Sequence, residues 1–461
     1  MESVTDRARR GKEARTTSRR RWHGDWAPAA DRPDPVEVLE GQAVTRLPQL
    51  LPIRYGRMLA SEFAFYRGGA ALMAADLAAT PTAGFDVQLC GDAHVGNFGI
   101  YLAPDRRSVF DVNDFDETHV GPWEWDVKRL AASVAVLGRH RGMSERDRRG
   151  AVLATVGSYR RAMREFAGWG NLAVWYARLD VEDLLAQATL REGDFDVAGA
   201  RRTLERFRRK DSARAVDKLA ERVDGRLRIV SQPPLVVPVR DLLSDTDADV
   251  LRGRFEELVN AYTATLPPQQ RHLIASHRFV DMAHKVVGVG SAGTRCWIIL
   301  MEGRDTGDPL MMQAKEADAS VLEPHLAPSP YDHHGERVVQ GQRFMQAASD
   351  ILLGWERAVG WDGIQRDFYL RQLWDGKGSI DTETIGPERL GLLGGFCAWT
   401  LARAHARSGD RIAIAAYLGS GDVFDVAVAD FAEAYADQNA RDYAALRQAV
   451  RDGRVPADTS A

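Results

Sequence analysis

In the stretch CGDAHVGN, Asp92 and Asn97 stand five residues apart among glycines, and Asp114 follows seventeen residues after Asn97 in VNDFDE. An apolar run leads into the first stretch and another resumes after it. The pattern predicts a strand that stops, exposes polar groups on a tight loop and restarts. Two carboxylates and an amide in this order suit phosphoryl transfer. One carboxylate orients or deprotonates an attacking hydroxyl, while the amide oxygen and the second carboxylate hold Mg2+ against phosphate oxygens. Any one of these residues alone reads as a turn residue that satisfies its own backbone; the ordered set points to chemistry.

A second constellation lies far downstream. GVGSAG sets Gly288, Gly290 and Gly293 in a G-x-G-x-x-G pattern, with Ser291 inside it and Thr294 directly after. A dinucleotide-binding loop runs from a strand into a helix, whereas TRCWIILME continues here as an aromatic and β-branched strand. Strand, glycine loop, strand is the arrangement that covers ATP phosphates in kinases. Lys315 follows in the apolar strand LMMQAKEA, where a charge is costly without a partner. The competing explanation is a lysine on an edge strand pointing into water.

These residues need elements to position them. Residues 1–35, with RARRGKEARTTSRRRW, lack apolar periodicity and are expected to form a flexible basic arm. From 36 to about 80 the pattern is helical, with Phe63, Tyr66, Leu72 and Met73 able to share a face. A short strand in SVFDVNDFDE and a helix from WDVKRLAASVAVLGRH follow, and residues 140–270 read as mostly helical and highly charged. Near 280 the character turns to β, in KVVGVGSAGTRCWIILMEG and DPLMMQAKEA, joined through GRDTGD. A helix at about 334–355 and the strand FYLRQL come next, and the chain is helical again from 386. The expected division is an arm (1–35), a helical catalytic part (36–275), a small β-rich nucleotide-binding part (276–385) and C-terminal helices that return to the catalytic part (386–461).

Composition sets the outer bounds. A chain of 461 residues fits two or three compact units. With 61 basic and 65 acidic residues, the formal charge of -4 gives no overall pull toward nucleic acid or membrane. Three cysteines without CxxC spacing indicate neither a disulfide framework nor structural zinc. The absence of a long apolar run and of a signal-like N-terminus makes a cytoplasmic location the expectation.

CGDAHVGN followed by DFD resembles the catalytic loop and metal-binding motif of kinase-fold phosphotransferases, especially the aminoglycoside phosphotransferase-like branch. The resemblance implies Asp92 as the base, Asn97 and Asp114 as metal ligands, and Asp116 as an assisting outer group. Asp126, in GPWEWDVKRL, matches the aspartate that buttresses this loop. Cys90 departs from the pattern, standing where a histidine usually opens the loop. For Lys315 the resemblance implies contact with the α- and β-phosphates of ATP and an acidic partner on the next helix, where Glu336 stands, with Gln340 and Gln346 on nearby turns. FYLRQLWDGKGS resembles the strand and hinge that touch adenine through backbone groups, at Gln372, Leu373 and Trp374.

The glycine loop and lysine follow the catalytic loop here instead of preceding it. That order implies a circular permutation, which costs little when the old termini lie close together on the surface. The helix CAWTLARAHARSGD would then take the place of the one that leads into the catalytic loop. The fold implied is α+β, protein-kinase-like, two-lobed and circularly permuted, with a mainly helical large lobe and a small antiparallel β lobe. Together RYGRM, FAFYRGGA, CGDAHVGNFG, NDFDE, GPWEWDVKRL, GVGSAGTR, QAKEA and LARAHARSGD resemble the uncharacterised bacterial family called domain of unknown function 2252, over almost everything after the arm.

The activity implied is an ATP- and Mg2+-dependent phosphotransferase acting on a hydroxyl of a small-molecule acceptor. No equivalent of the activation segment and APE motif of protein kinases is evident, and neither a specific nucleic acid nor a membrane is an expected partner. The alternatives are a catalytically inactive kinase-like nucleotide-binding or scaffold module and, third, a metal-dependent phosphohydrolase, since the Asp92 motif also resembles the first block of metallophosphatases. Arg54, Arg57 and Arg67 are candidates for binding phosphate or an acidic substrate. His94 is a candidate ligand or proton shuttle.

Overall fold

The computed structural model describes residues 2–190, 212–242, 257–286, 292–360, 362–373 and 382–459, with positions 202, 204, 205, 253, 288, 378 and 379 between them. It is an α+β protein with antiparallel sheets. Among the described residues no single helix is long and apolar enough to cross a membrane.

The Arg-rich N-terminal segment, expected to be flexible, is instead largely helical. Helix α1 (Val4–Thr17) is capped by the Ser3 hydroxyl and lies on the helix Arg411–Leu418. Gly11 is buried at the crossing, where a Cβ would fall 2.1 Å from the Ala413 carbonyl oxygen. Arg7 and Arg10 pair with Asp410, and Arg15 and Arg20 donate to the carbonyls of Tyr417 and Leu418. Those carbonyls end a helix and have no partners within it. The arginines therefore dock the segment, and apolar periodicity carries no trace of it.

Short helices between Pro35 and Ala78 lead to the strands around Asp92. Strand β1 (Asp86–Leu89) pairs antiparallel with β4 (His119–Pro122), and β2 (Phe98–Leu102) pairs with β3 (Ser108–Val112). Helix α2 (Trp123–His140) is buried continuously from Trp123 to Gly138. Around it pack α3 (Glu145–Ala167) and, from the far end of the chain, the helices Pro387–Ser408 and Val423–Arg451. One apolar cluster joins these elements, with Trp123 stacked on Tyr159 at 5.6 Å between ring centroids.

The second half of the chain supplies a six-stranded antiparallel sheet. Its strands are β5 (Val236–Pro238), β6 (Arg278–Lys285), β7 (Cys296–Glu302), β8 (Pro309–Ala317), β9 (Gly354–Val359) and β10 (Gln365–Gln372), in the spatial order β9-β10-β8-β7-β6-β5. Side chains alternate across it. Ile298, Leu300 and Met311 meet Val216, Leu219 and Ile229 on one face, while Ile299, Met301 and Met312 meet Tyr262, Leu266 and Ile274 on the other. Both faces are covered by segments that precede residue 276. The β-rich part thus begins earlier than the charged, helix-like sequence of 212–275 suggests.

Helix α4 (His334–Met345) joins the sheet to the helical part and stops ten residues short of its expected end. Asp350 ends that pattern: its carboxylate accepts from the amides of Leu352 and Gln372, which turns the chain back into β9. The C-terminal helices are α5 (Pro387–Ser408), α6 (Arg411–Leu418) and α7 (Val423–Arg451).

Candidate active site

The loop after β1 turns at Gly91, whose φ of +82° favours glycine and whose Cβ would lie 2.1 Å from the Glu117 carbonyl oxygen. Its amides are held by Asp126 in the first turn of α2. One carboxylate oxygen accepts from Cys90 N at 2.7 Å and the other from Gly91 N at 3.0 Å. His405 Nε2 on α5 lies 3.2 Å from the same carboxylate, and its Nδ1 meets the Tyr159 hydroxyl at 2.9 Å. Asp126 thus holds the loop through two of its amides, and α5 reaches the same carboxylate through His405. Burial pushes the Cys90 thiol well up, so it stays protonated beside the loop.

Asp92 follows the turn. Arg129, one helical turn beyond Asp126, donates to Asp92 Oδ1 from Nε at 3.0 Å and Nη2 at 2.8 Å. The guanidinium is itself fixed: it sits 4.0 Å from the centroid of the Tyr66 ring and donates to the Tyr66 carbonyl at 2.8 Å. Asp92 Oδ2 lies 3.6 Å from His94 Nε2, and the side chain keeps 20 % exposure. Burial lowers His94 to about 4, so its ring is neutral at pH 7 and adds no charge to Asp92.

Asn97 ties the two loops together. Its Nδ2 donates to the carbonyls of Asp92 at 3.1 Å and Asp114 at 3.2 Å, so the amide oxygen is the end that remains for a ligand. The Asp114 side chain is 40 % exposed, and its Oδ2 lies 3.5 Å from Lys315 Nζ. Lys315, only 3 % exposed, also pairs with Asp116, whose other oxygen accepts from the Tyr369 hydroxyl at 2.8 Å. Burial works against the Lys315 charge, but Asp114 and Asp116 outweigh it and hold the ammonium well above its usual range. Burial and Asp114 in turn push Asp116 up. Asp114 and Asp116 share the Lys315 ammonium, and both also favour the charge of the buried Arg371 guanidinium. The half-exposed Asp114 carboxylate and the Asn97 carbonyl are the hard oxygen donors that a Mg2+ ion would use. No group of three or more His, Cys, Asp and Glu side chains arranged to hold a metal occurs among the described residues.

Register places these groups. Lys315 on β8 is paired with Tyr369 on β10, and Gln313 with Arg371, so the four share one face of the sheet. Arg371 reaches the Asn113 carbonyl at 3.3 Å. From α4, Arg337 donates to the carbonyls of Thr118 and Asp116 at 2.6 and 2.8 Å. Glu336 is not at the ammonium: its neighbours are His333 and Gln340, and Lys315 takes its carboxylates from the Asp114–Asp116 loop instead. Gln346, the other glutamine weighed there, donates to the Val112 carbonyl.

Of the glycine loop, Gly288 and Gly293 are described and both have positive φ, +57° and +96°; Gly290 and Ser291 lie outside the described residues. Arg57 donates to the Gly288 carbonyl at 2.7 Å, Arg46 to that of Ala292 at 2.7 Å, and Leu47 N to that of Gly293 at 2.8 Å. Thr294 follows directly, ahead of β7. At the expected hinge, Gln372 N donates to Asp350 at 2.5 Å and Leu373 N to the Met311 carbonyl at 2.9 Å; Trp374 lies outside the described residues.

The site thus gathers Asp92, Asn97, Asp114, Asp116 and Lys315 from segments some two hundred residues apart. Sequence reasoning passed over Arg129, Tyr369, Arg371 and Arg337. Arg129 carried a usable signal, since three residues from Asp126 on a helix puts both on one face. The others become visible only through strand register and the path of α4.

No curated protein and no solved structure matches the chain. The family described as "Uncharacterized protein conserved in bacteria (DUF2252)" matches residues 46–449. That span covers both loops, the sheet and most of α7, and the chain belongs to this family.

Proposed function

We propose that the chain is an ATP- and Mg2+-dependent phosphotransferase with a circularly permuted, kinase-like two-lobed architecture, acting on a hydroxyl of a small molecule. The observation that carries this is the approach of Lys315, on the sheet, to Asp114 and Asp116, on the loop beside Asp92. A nucleotide would lie between the glycine loop and these carboxylates, with Lys315 exchanging part of its contact with Asp114 for phosphate oxygens. Mg2+ held by Asp114 and the Asn97 carbonyl would supply neutralisation of the phosphate charge. Asp92, steadied by Arg129 on one oxygen, would take the acceptor hydroxyl's proton as the oxygen bonds to the γ-phosphorus and the bond to ADP breaks. The burial of Arg129 fixes the aspartate before substrate arrives, as positioning demands.

One observation favours a second role, a kinase-like module without turnover. The amides of Gln372 and Leu373, which would recognise adenine, are engaged by Asp350 and Met311.

Two measurements separate these roles. Nucleotide binding is followed by thermal shift with and without Mg2+, and transfer by the fate of γ-labelled phosphate in a metabolite extract. Asp92→Asn is expected to abolish transfer and keep nucleotide binding, whereas Asp114→Ala weakens Mg-ATP binding itself. Equal transfer by wild type and Asp92→Asn removes Asp92 as the base.

A further inference from the structure

Of the three candidate anion-binding arginines ahead of the Asp92 loop, Arg54, Arg57 and Arg67, two are engaged elsewhere. Arg54 is buried and donates to the Leu39 carbonyl and the Gln42 side chain, and Arg57 is spent on the Gly288 carbonyl. Arg67 differs. It closes the short helix Glu62–Gly68, whose other side chains already serve the loop: the Phe63 ring packs edge-on against His94, and Tyr66 braces Arg129. Arg67 Nε is buried without a hydrogen-bond partner among the described residues, 3.8 Å from where a Cβ on Gly96 would lie. Burial weighs against its charge, and the carboxylates that offset this are Asp92 and Asp114. Both already have nearer cations, Arg129 and Lys315. The side chain as a whole is only partly buried, so the rest of the guanidinium stays open to a ligand arriving beside Asp92 while its Nε is cut off from water.

We infer that Arg67 binds an oxyanion of the acceptor, so that the molecule phosphorylated beside Asp92 carries a carboxylate or phosphate as well as its hydroxyl. The inference rests on the phosphotransferase proposal for the word acceptor, but the anion site itself does not. Arg67 lies beside Gly96 in the Asp92 loop, whereas Lys315 approaches Asp114 and Asp116 from the sheet, so the two cations reach the site from different elements. A planar guanidinium offers paired donors that match either oxyanion.

The test titrates the full chain with inorganic phosphate and, separately, with acetate by calorimetry, and then with Mg-ATP. Wild type is expected to bind at least one of the two small anions saturably. Arg67→Gln should weaken that binding by about tenfold or more and Arg67→Lys by less, since lysine keeps the charge and loses the fork. Mg-ATP binding should be unchanged in both variants. Anion binding that persists in Arg67→Gln overturns the assignment, as does a loss of Mg-ATP binding in that variant, which would place the nucleotide's own phosphate at Arg67. A lowered thermal midpoint with intact anion binding shows mere neutralisation of Asp92 and Asp114 and also overturns it. If wild type binds no Mg-ATP yet shows Arg67-dependent anion binding, the phosphotransferase proposal fails and the anion site stands.

Discussion

Arg403 and Asp111 form a 2.5 Å ion pair in which each side chain is 1 % exposed, fastening α5 to β3 just ahead of the Asn113–Asp116 loop. Removing one partner of a buried pair leaves the other charge uncompensated. Arg403→Met is expected to cost about 3–5 kcal/mol in urea unfolding, and Asp111→Asn combined with Arg403→Met to recover most of it. A double variant no more stable than the single one would show that Asp111 depends on the pair for shape rather than charge.

The Asp126 carboxylate is the acceptor for two consecutive amides, Cys90 and Gly91. Asp126→Ala strands both, and a destabilisation of about 2–4 kcal/mol is expected. Hydrogen exchange at these two amides should accelerate more than at the strand β1 amides before them. Uniform exchange along the segment would mean that something else secures the turn.

Lys128 and Glu124 are fully buried one turn apart on α2, and Lys128 Nζ has no hydrogen-bond partner among the described residues. Burial lowers Lys128 from 10.5 to about 7 and raises Glu124 from 4.5 to about 7. The glutamate's raised value makes stability fall as pH rises from 4.5 to about 7, where the folded state binds the extra proton. The lysine's lowered value makes stability rise from about 7 to 10.5, where the unfolded state binds it. Chemical denaturation across this range should show a trough near neutrality, shared by the pair. Replacing both residues, Glu124→Gln with Lys128→Met, should flatten the profile; a trough that survives belongs to other groups.

Lys315→Met leaves Asp114 and Asp116 facing each other without their ammonium. Their partial exposure limits the cost to about 1–3 kcal/mol. A divalent cation can take over the lost charge, so added Mg2+ should raise the melting temperature of Lys315→Met more than that of wild type. Equal shifts in the two proteins would argue against a cation site at this pair.

Much of the site was legible because its chemistry is local in sequence. Asp92, Asn97 and Asp114 sit on two loops joined by one hairpin, and Asp126 follows in the first turn of the next helix. What escaped was set by distance along the chain. The carboxylate partners of Lys315 stand 201 and 199 residues before it, and the apolar pattern of β8 gives no hint of them. Glu336 looked suitable only because it lies on the next helix. The mixture of helix and sheet followed from the change of pattern near residue 280, and the antiparallel arrangement from the kinase-like resemblance. The early start of the β-rich part did not, because the segments that cover its sheet are themselves charged and helical in character. The first thirty-five residues misled for a related reason: arginines that cap another helix look like arginines in water.

The docking of α1 gives the family match a practical edge. The matched span opens at residue 46, yet Gly11 nests against Ala413 and four N-terminal arginines serve Asp410 and the end of α6. At the other extremity Val455 is buried and Asp458 N donates to the Pro52 carbonyl, beyond the matched limit at 449. A chain trimmed to the matched limits would bare apolar seams at both ends, and poor solubility of such a fragment would report on its cut edges.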